Sequence, residues 1–139
     1  MLTLTKDFSF DASHRLIKLD WSESENKEVY GKCFNAPSHG HTYKLSVTLE
    51  GIPDESGMII NFSELKKIVN ENVIEKFDHN YLNQFFNKPS TCEVMVADIY
   101  YTLKPLLSSE PDSSKNYKLK RVDLYEQIYP TNSFASYQE

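Results

Sequence analysis

The run Cys33-Phe34-Asn35-Ala36-Pro37-Ser38-His39-Gly40-His41-Thr42-Tyr43 leads straight into Lys44-Leu45-Ser46-Val47-Thr48-Leu49, and its reading decides the fold. Tyr43, Leu45, Val47 and Leu49 alternate with polar residues, the period of a strand with one buried face. A strand is expected from about Thr42 to Glu50, closed by the turn chemistry of Gly51-Ile52-Pro53-Asp54. Side chains two residues apart share a face, so His39 and His41 project together from its start. Two imidazoles on one face suit a divalent metal, and Cys33 places a thiol six positions upstream. The plain alternative is a loop entering a strand with two polar histidines at its mouth.

Working outward, Leu2, Leu4, Phe8 and Phe10 share one parity, as the buried face of a first strand does. The same parity passes through Ala12 to His14. If the two strands pair as a hairpin, His14, His39 and His41 fall at one end of the sheet. Three imidazoles with an open fourth position are the pattern of a catalytic zinc site, although three nitrogens also accept other first-row ions. Between the strands, Lys18 to Gly31 is polar and charged and reads as a long loop. Cys33 is open to three readings: a fourth zinc ligand, a thiol whose pKa a neighbouring cation depresses, or a buried apolar side chain.

Downstream, Leu65, Ile68, Val69 and Val73 fall on one helical face. Asn61 is placed to cap that helix, with Glu64 reaching back as in a capping box. Asp78 to Asn83 breaks the pattern as a loop. Asp78-His79 sets a carboxylate beside an imidazole, either a proton-transfer pair or a polar helix end. Ser90 and Glu93 form a closer capping-box match ahead of Cys92, Val96, Ile99 and Leu103, and Pro105 stops or kinks that helix. Residues 108–116 read as a polar turn. Val122 and Leu124 mark a third strand running into Tyr125-Glu126, and a fourth covers Phe134 to Tyr137. Glu126 shares the inward parity, so its carboxylate calls for a partner such as a ligand's N–H groups; a solvent-exposed strand end is the alternative. The order β-β-α-α-β-β, with two helices on one face of an antiparallel four-stranded sheet, is an α+β fold. Its open edges favour oligomerisation.

The 139 residues are expected to form a single domain, 1–139, with its own core. A net charge of -5 offers no footprint for nucleic acid or anionic membrane. No apolar run approaches the ~20 residues of a membrane span. The N-terminus lacks a signal-peptide pattern, and the two cysteines suit a reducing cytoplasm.

These motifs together resemble the 6-pyruvoyl-tetrahydropterin synthase family, which includes the 6-carboxytetrahydropterin synthases of queuosine biosynthesis. The resemblance is carried by Phe10-Asp11-Ala12-Ser13-His14, Cys33-x5-His39-Gly40-His41, Gly57-Met58-Ile59-Ile60-Asn61-Phe62, Asp78-His79-Asn80-Tyr81-Leu82-Asn83, Ser90-Thr91-Cys92-Glu93 and Tyr125-Glu126, all in family order. It implies the tunnelling fold and a homohexamer, a dimer of trimers with active sites between subunits. It implies zinc on His14, His39 and His41, Cys33 as general base, and Asp78 with His79 as a second proton relay from a neighbouring subunit. Glu126, helped by Thr91 and Glu93, would hold the pterin of 7,8-dihydroneopterin triphosphate. The five residues between Cys33 and His39 resemble the pyruvoyl-forming enzymes, and Asn61 points the same way; the queuosine branch, which releases acetaldehyde, stays open as the alternative. A third possibility is a metal- or pterin-binding protein on this fold without turnover. Cys92 departs from the small residue or threonine usual before Glu93.

Overall fold

In the computed structural model, which describes residues 1–139, a four-stranded antiparallel sheet runs in the order β1-β2-β3-β4. Strand β1 (Leu2–His14) and strand β2 (His39–Ile52) pair along their whole length, from Leu2 opposite Gly51 to His14 opposite His39. Strand β3 (Asn116–Gln127) lies on β2, and β4 (Ser133–Gln138) lies on β3. The hairpin reading of the first two strands holds. The second strand begins earlier than alternation alone indicated, so both His39 and His41 sit within the ladder.

One face of the sheet carries the core. Phe10, Tyr43, Leu45, Val47, Leu49, Val122 and Leu124 pack against two helical segments. The first comprises α2 (Phe62–Val69), a π-helical turn (Asn70–Ile74) and α3 (Glu75–Phe77), and buries Leu65, Val69, Val73 and Phe77. The second is α4 (Cys92–Leu103), which buries Cys92, Met95, Val96, Ile99, Tyr100 and Leu103. This is the expected two-helix layer, and no helix is long and apolar enough to cross a membrane.

Five local expectations are corrected. Leu2 lies at the far end of the sheet and is 53% exposed, so the apolar parity of β1 becomes a buried face only from Phe8 onward. Residues 18–31 are not a bare loop: α1 (Glu23–Tyr30) forms there, followed by a 3-10 turn at Gly31–Phe34. Helix α1 has no apolar stripe; its one buried residue is Asn26. The Asn26 amide accepts from Lys18 N–H at 2.8 Å and donates to Lys18 O and Ser22 O at 3.0 Å each, pinning the preceding loop. Asn61 does cap α2, accepting from Ser63 N–H at 2.9 Å, but Glu64 faces Lys115 at 3.4 Å instead of reaching back.

The cap of α4 is Thr91, whose hydroxyl accepts from Val94 N–H, and not Ser90. Strand β3 is longer than its Val122/Leu124 parity indicated, because Lys120 is an extra residue between the pairs Thr48–Arg121 and Leu49–Leu119. A bulge of this kind reverses the alternation, so Tyr117 and Leu119 face the core before it and Val122 and Leu124 after it.

Candidate active site

The parity of the hairpin carries the core face of β1 and β2 beyond Phe10 and Tyr43 to three imidazoles. His14 is opposite His39, and Ala12 is opposite His41. The rings form a triangle: centroids are 4.6 Å apart for His14–His39, 5.0 Å for His39–His41 and 5.2 Å for His14–His41. Their ligand nitrogens all lie within 4.8 Å of one another.

His14 is 1% exposed. Its Nδ1 lies 2.9 Å from the Ser90 carbonyl and 3.2 Å from the Ser90 hydroxyl. A carbonyl only accepts, so Nδ1 carries the hydrogen and the Nε2 lone pair is free. Burial, reinforced by His39 and His41 and opposed by the Ser90 bond, pushes the His14 pKa down to about 4. Burial also lowers the His41 pKa, against the raising influence of Glu126. Neutral imidazoles are the metal-binding form.

The Nε2 atoms of all three histidines are buried and make no hydrogen bond. Buried polar atoms without partners are uncommon, and three converging ones are what a nitrogen-coordinated metal requires. The residues therefore fit a metal ion. Cys33 is not in this group. It is partly buried on the 3-10 turn after α1, and its carbonyl accepts from Leu16 N–H at 2.9 Å, two residues beyond His14. That bond ties the thiol-bearing turn to the metal end of β1.

Glu126 also comes to the histidines. It is the extra residue of a bulge where β3 passes from the Tyr125–Phe134 pair to Gln127–Ser133. Its Oε1 lies 3.1 Å from His41 Nε2, without the alignment of a hydrogen bond. Together with Glu93, Cys92, Asn132, Ser133 and Phe134 it lines a pocket of about 420 Å³. Thr91 does not line that pocket; its hydroxyl serves the helix end. Cys92 donates its S–H to Leu124 O at 2.9 Å, and burial pushes its thiol up to about 11, so it is an inert cysteine.

Asp78 and His79 stand apart from the triangle, pinned along the outer edge of β1. The Asp78 carboxylate accepts from Asp11 N–H at 2.9 Å and lies 2.8 Å from His79 Nδ1. His79 adopts φ +61, and its N–H donates to Asp11 O at 2.6 Å while Ser13 N–H donates to Asn80 O. The backbone bond from Asp11, then His79, lowers the Asp78 pKa; Asp78 raises that of His79. The His79 side chain is 79% exposed, and it shares a shallow cleft of about 470 Å³ with His41, Asp11 and Thr42.

Two supporting residues escaped sequence reasoning. Ser90 was assigned to a helix cap but orients His14. Asn83 accepts from Arg15 N–H at 2.9 Å and donates to Arg15 O at 2.7 Å, fixing the backbone just after His14. Their positions inside the motif blocks 78–83 and 90–93 were the available signal.

Fold and site define a class: an α+β protein with a three-imidazole cluster at one end of an antiparallel sheet, beside an acidic pocket. The family model described as 6-pyruvoyl tetrahydropterin synthase matches residues 3–139. The chain is 34% identical over 138 residues to the 6-pyruvoyl tetrahydrobiopterin synthase of Drosophila melanogaster, covering 93% of this chain and 82% of that protein. It is 40% identical over 86 residues to the 6-carboxy-5,6,7,8-tetrahydropterin synthase of Haemophilus influenzae, covering 59% and 52% of the two. The solved 6-pyruvoyl tetrahydropterin synthase of Caenorhabditis elegans superposes with a TM-score of 0.85 at 32% identity, over 99% of this chain and 95% of that one. The chain belongs to the 6-pyruvoyl tetrahydropterin synthase family.

Proposed function

We propose that this protein is a zinc-dependent 6-pyruvoyl-tetrahydropterin synthase, a lyase that converts 7,8-dihydroneopterin triphosphate to 6-pyruvoyl-tetrahydropterin with loss of triphosphate. The observation that carries this reading is the convergence of three buried, unpartnered Nε2 atoms beside the Glu126 pocket. His14, His39 and His41 would hold the ion, which when bound supplies Lewis acidity towards the hydroxyl oxygens of the substrate side chain.

The protein's own groups move the protons. Glu126 and Glu93 accept from the 2-amino and ring N–H edge of the pterin and set its orientation in the pocket. Cys33, as thiolate, takes a proton from the carbinol carbon of the side chain. His79, whose pKa Asp78 raises, is suited to return a proton, and its exposed position on the β1 edge suits service to a neighbouring subunit. No external reductant is needed. Oxidation of the side-chain carbinol to a ketone matches reduction of the ring C=N, and elimination of triphosphate leaves an enol that becomes the second ketone.

The reading places the enzyme in the cytoplasm as a homohexamer, a dimer of trimers, with the edge of β4 and the part of the β1 edge ahead of Asp11 available for pairing between subunits. The Haemophilus relative favours a second reading, the 6-carboxytetrahydropterin synthase reaction that releases acetaldehyde. Asn61 does not separate the two by chemistry, because its side chain is occupied as the cap of α2. The five-residue spacing from Cys33 to His39 favours the pyruvoyl product. Incubation of zinc-loaded protein with 7,8-dihydroneopterin triphosphate and identification of products by mass tests this. The pyruvoyl product is expected; acetaldehyde with a carboxypterin supports the second reading, and unchanged substrate overturns both.

A further inference from the structure

Four buried side-chain polar atoms make no hydrogen bond; three are the imidazole nitrogens, and the fourth is the Tyr43 hydroxyl. Tyr43 is fully buried. An unpaired phenol O–H in a dry core is destabilising, and phenylalanine at the same place would avoid that cost. The ring is held without the oxygen. It stacks on Phe10 at 4.9 Å with planes 11° apart, and lies edge-on to His41 at 5.5 Å. Packing therefore leaves the hydroxyl unexplained.

Strand register shows what lies beside it. The last rung between β2 and β3 pairs Lys44 with Tyr125, so the next position sets Tyr43 beside Glu126. Tyr43 faces the core as Leu45 does, and Glu126 follows the buried Leu124 with its side chain half-buried beside His41. Glu126 and Cys92 line one pocket, and Glu126 Oε1 lies 3.1 Å from Nε2 of His41, whose ring meets that of Tyr43. The Cys92 S–H is already committed to Leu124 O. Glu126 remains as the acceptor.

We propose that the Tyr43 hydroxyl is a positioning group for the heterocycle, donating to the Glu126 carboxylate when that carboxylate turns from His41 to the N–H edge of a bound pterin. The role rests on the pterin reading of the site. A carboxylate offers about four lone-pair sites, so a bidentate grip on the heterocycle leaves room for a phenol. The orphaned hydroxyl of the free protein is then a donor reserved for the occupied state.

The test titrates zinc-loaded wild type and Tyr43→Phe with neopterin, followed by the ligand's fluorescence. Neopterin carries the recognition edge but no triphosphate leaving group. The variant is expected to raise Kd by about tenfold, equivalent to ~1.4 kcal/mol. Its zinc content should be unchanged, and its thermal midpoint without ligand equal to or above that of the wild type. Equal affinity in the two proteins overturns the positioning role. Parallel loss of affinity and thermal stability also overturns it, since that is a packing defect. Failure of the wild type itself to bind neopterin overturns the pterin reading and this role with it.

Discussion

His14 and His39 are direct partners on the final rung of the β1–β2 ladder, with ring centroids 4.6 Å apart and planes at 64°. A cross-strand pair of imidazoles has no reason to be dry unless something occupies the space between them. Hairpin register thus builds most of the three-imidazole cluster by itself, and His41, two residues along β2, completes it.

Ser90 and Thr91 are adjacent in sequence and differ in task. Ser90→Ala removes the 3.2 Å hydroxyl contact at His14 Nδ1 while keeping the carbonyl. Loss of such outer support lowers metal affinity, here by about tenfold, the low end of the usual range because one partner remains. Thr91→Ala removes the α4 cap and costs about 1 kcal/mol of stability with metal affinity intact. Zinc competition titrations and urea unfolding of both variants check the division; a reversed pattern would restore Ser90 as the cap.

The pKa of His14 predicts acid sensitivity of the metal-free protein. Unfolded His14 takes up its proton near pH 6.5 and folded His14 near pH 4, so between them the unfolded state binds more protons. Stability therefore falls as pH drops through this window, by on the order of 3 kcal/mol in all. Urea midpoints of chelator-treated protein should decline from pH 7 to pH 4.5. His14→Asn should flatten the decline; equal slopes in the two proteins would show that His14 is not its source.

The base role proposed for Cys33 is tested against the buried Cys92. Cys33→Ala should keep its zinc and lose roughly 10²- to 10⁴-fold in kcat, the usual worth of a general base. Metal loss in that variant would instead make Cys33 a ligand. Cys92→Ser should keep its zinc, because the S–H of Cys92 is committed to Leu124 O and Cys92 is not among the clustered ligand atoms.

Where side-chain period and burial coincide, the chain was legible. Alternation through Phe8, Phe10 and Ala12 led to His14, and Tyr43 to Leu49 led back to His39 and His41. It failed where a polar group does the burying. Helix α1 is anchored by Asn26, not by an apolar stripe, and its Ser22-x-x-Glu25 start does not stand out within a polar stretch; Ser22 accepts from Glu25 N–H at 3.1 Å. It failed again at bulges, because the extra residue Lys120 inverts parity and hid the first half of β3. A capping pattern is satisfied by either of two neighbouring hydroxyls, so it does not separate Ser90 from Thr91. The placement of Asp78 and His79 on an outer edge followed from tertiary bonds to Asp11 and Ser13, which no local pattern records.

The most direct test of the three-histidine centre is metal content after chelation, reloading with excess zinc and removal of free ion. Wild type and Cys33→Ala should each retain about one zinc per chain, and His39→Ala should lose most of it. Full zinc occupancy in His39→Ala would contradict the account.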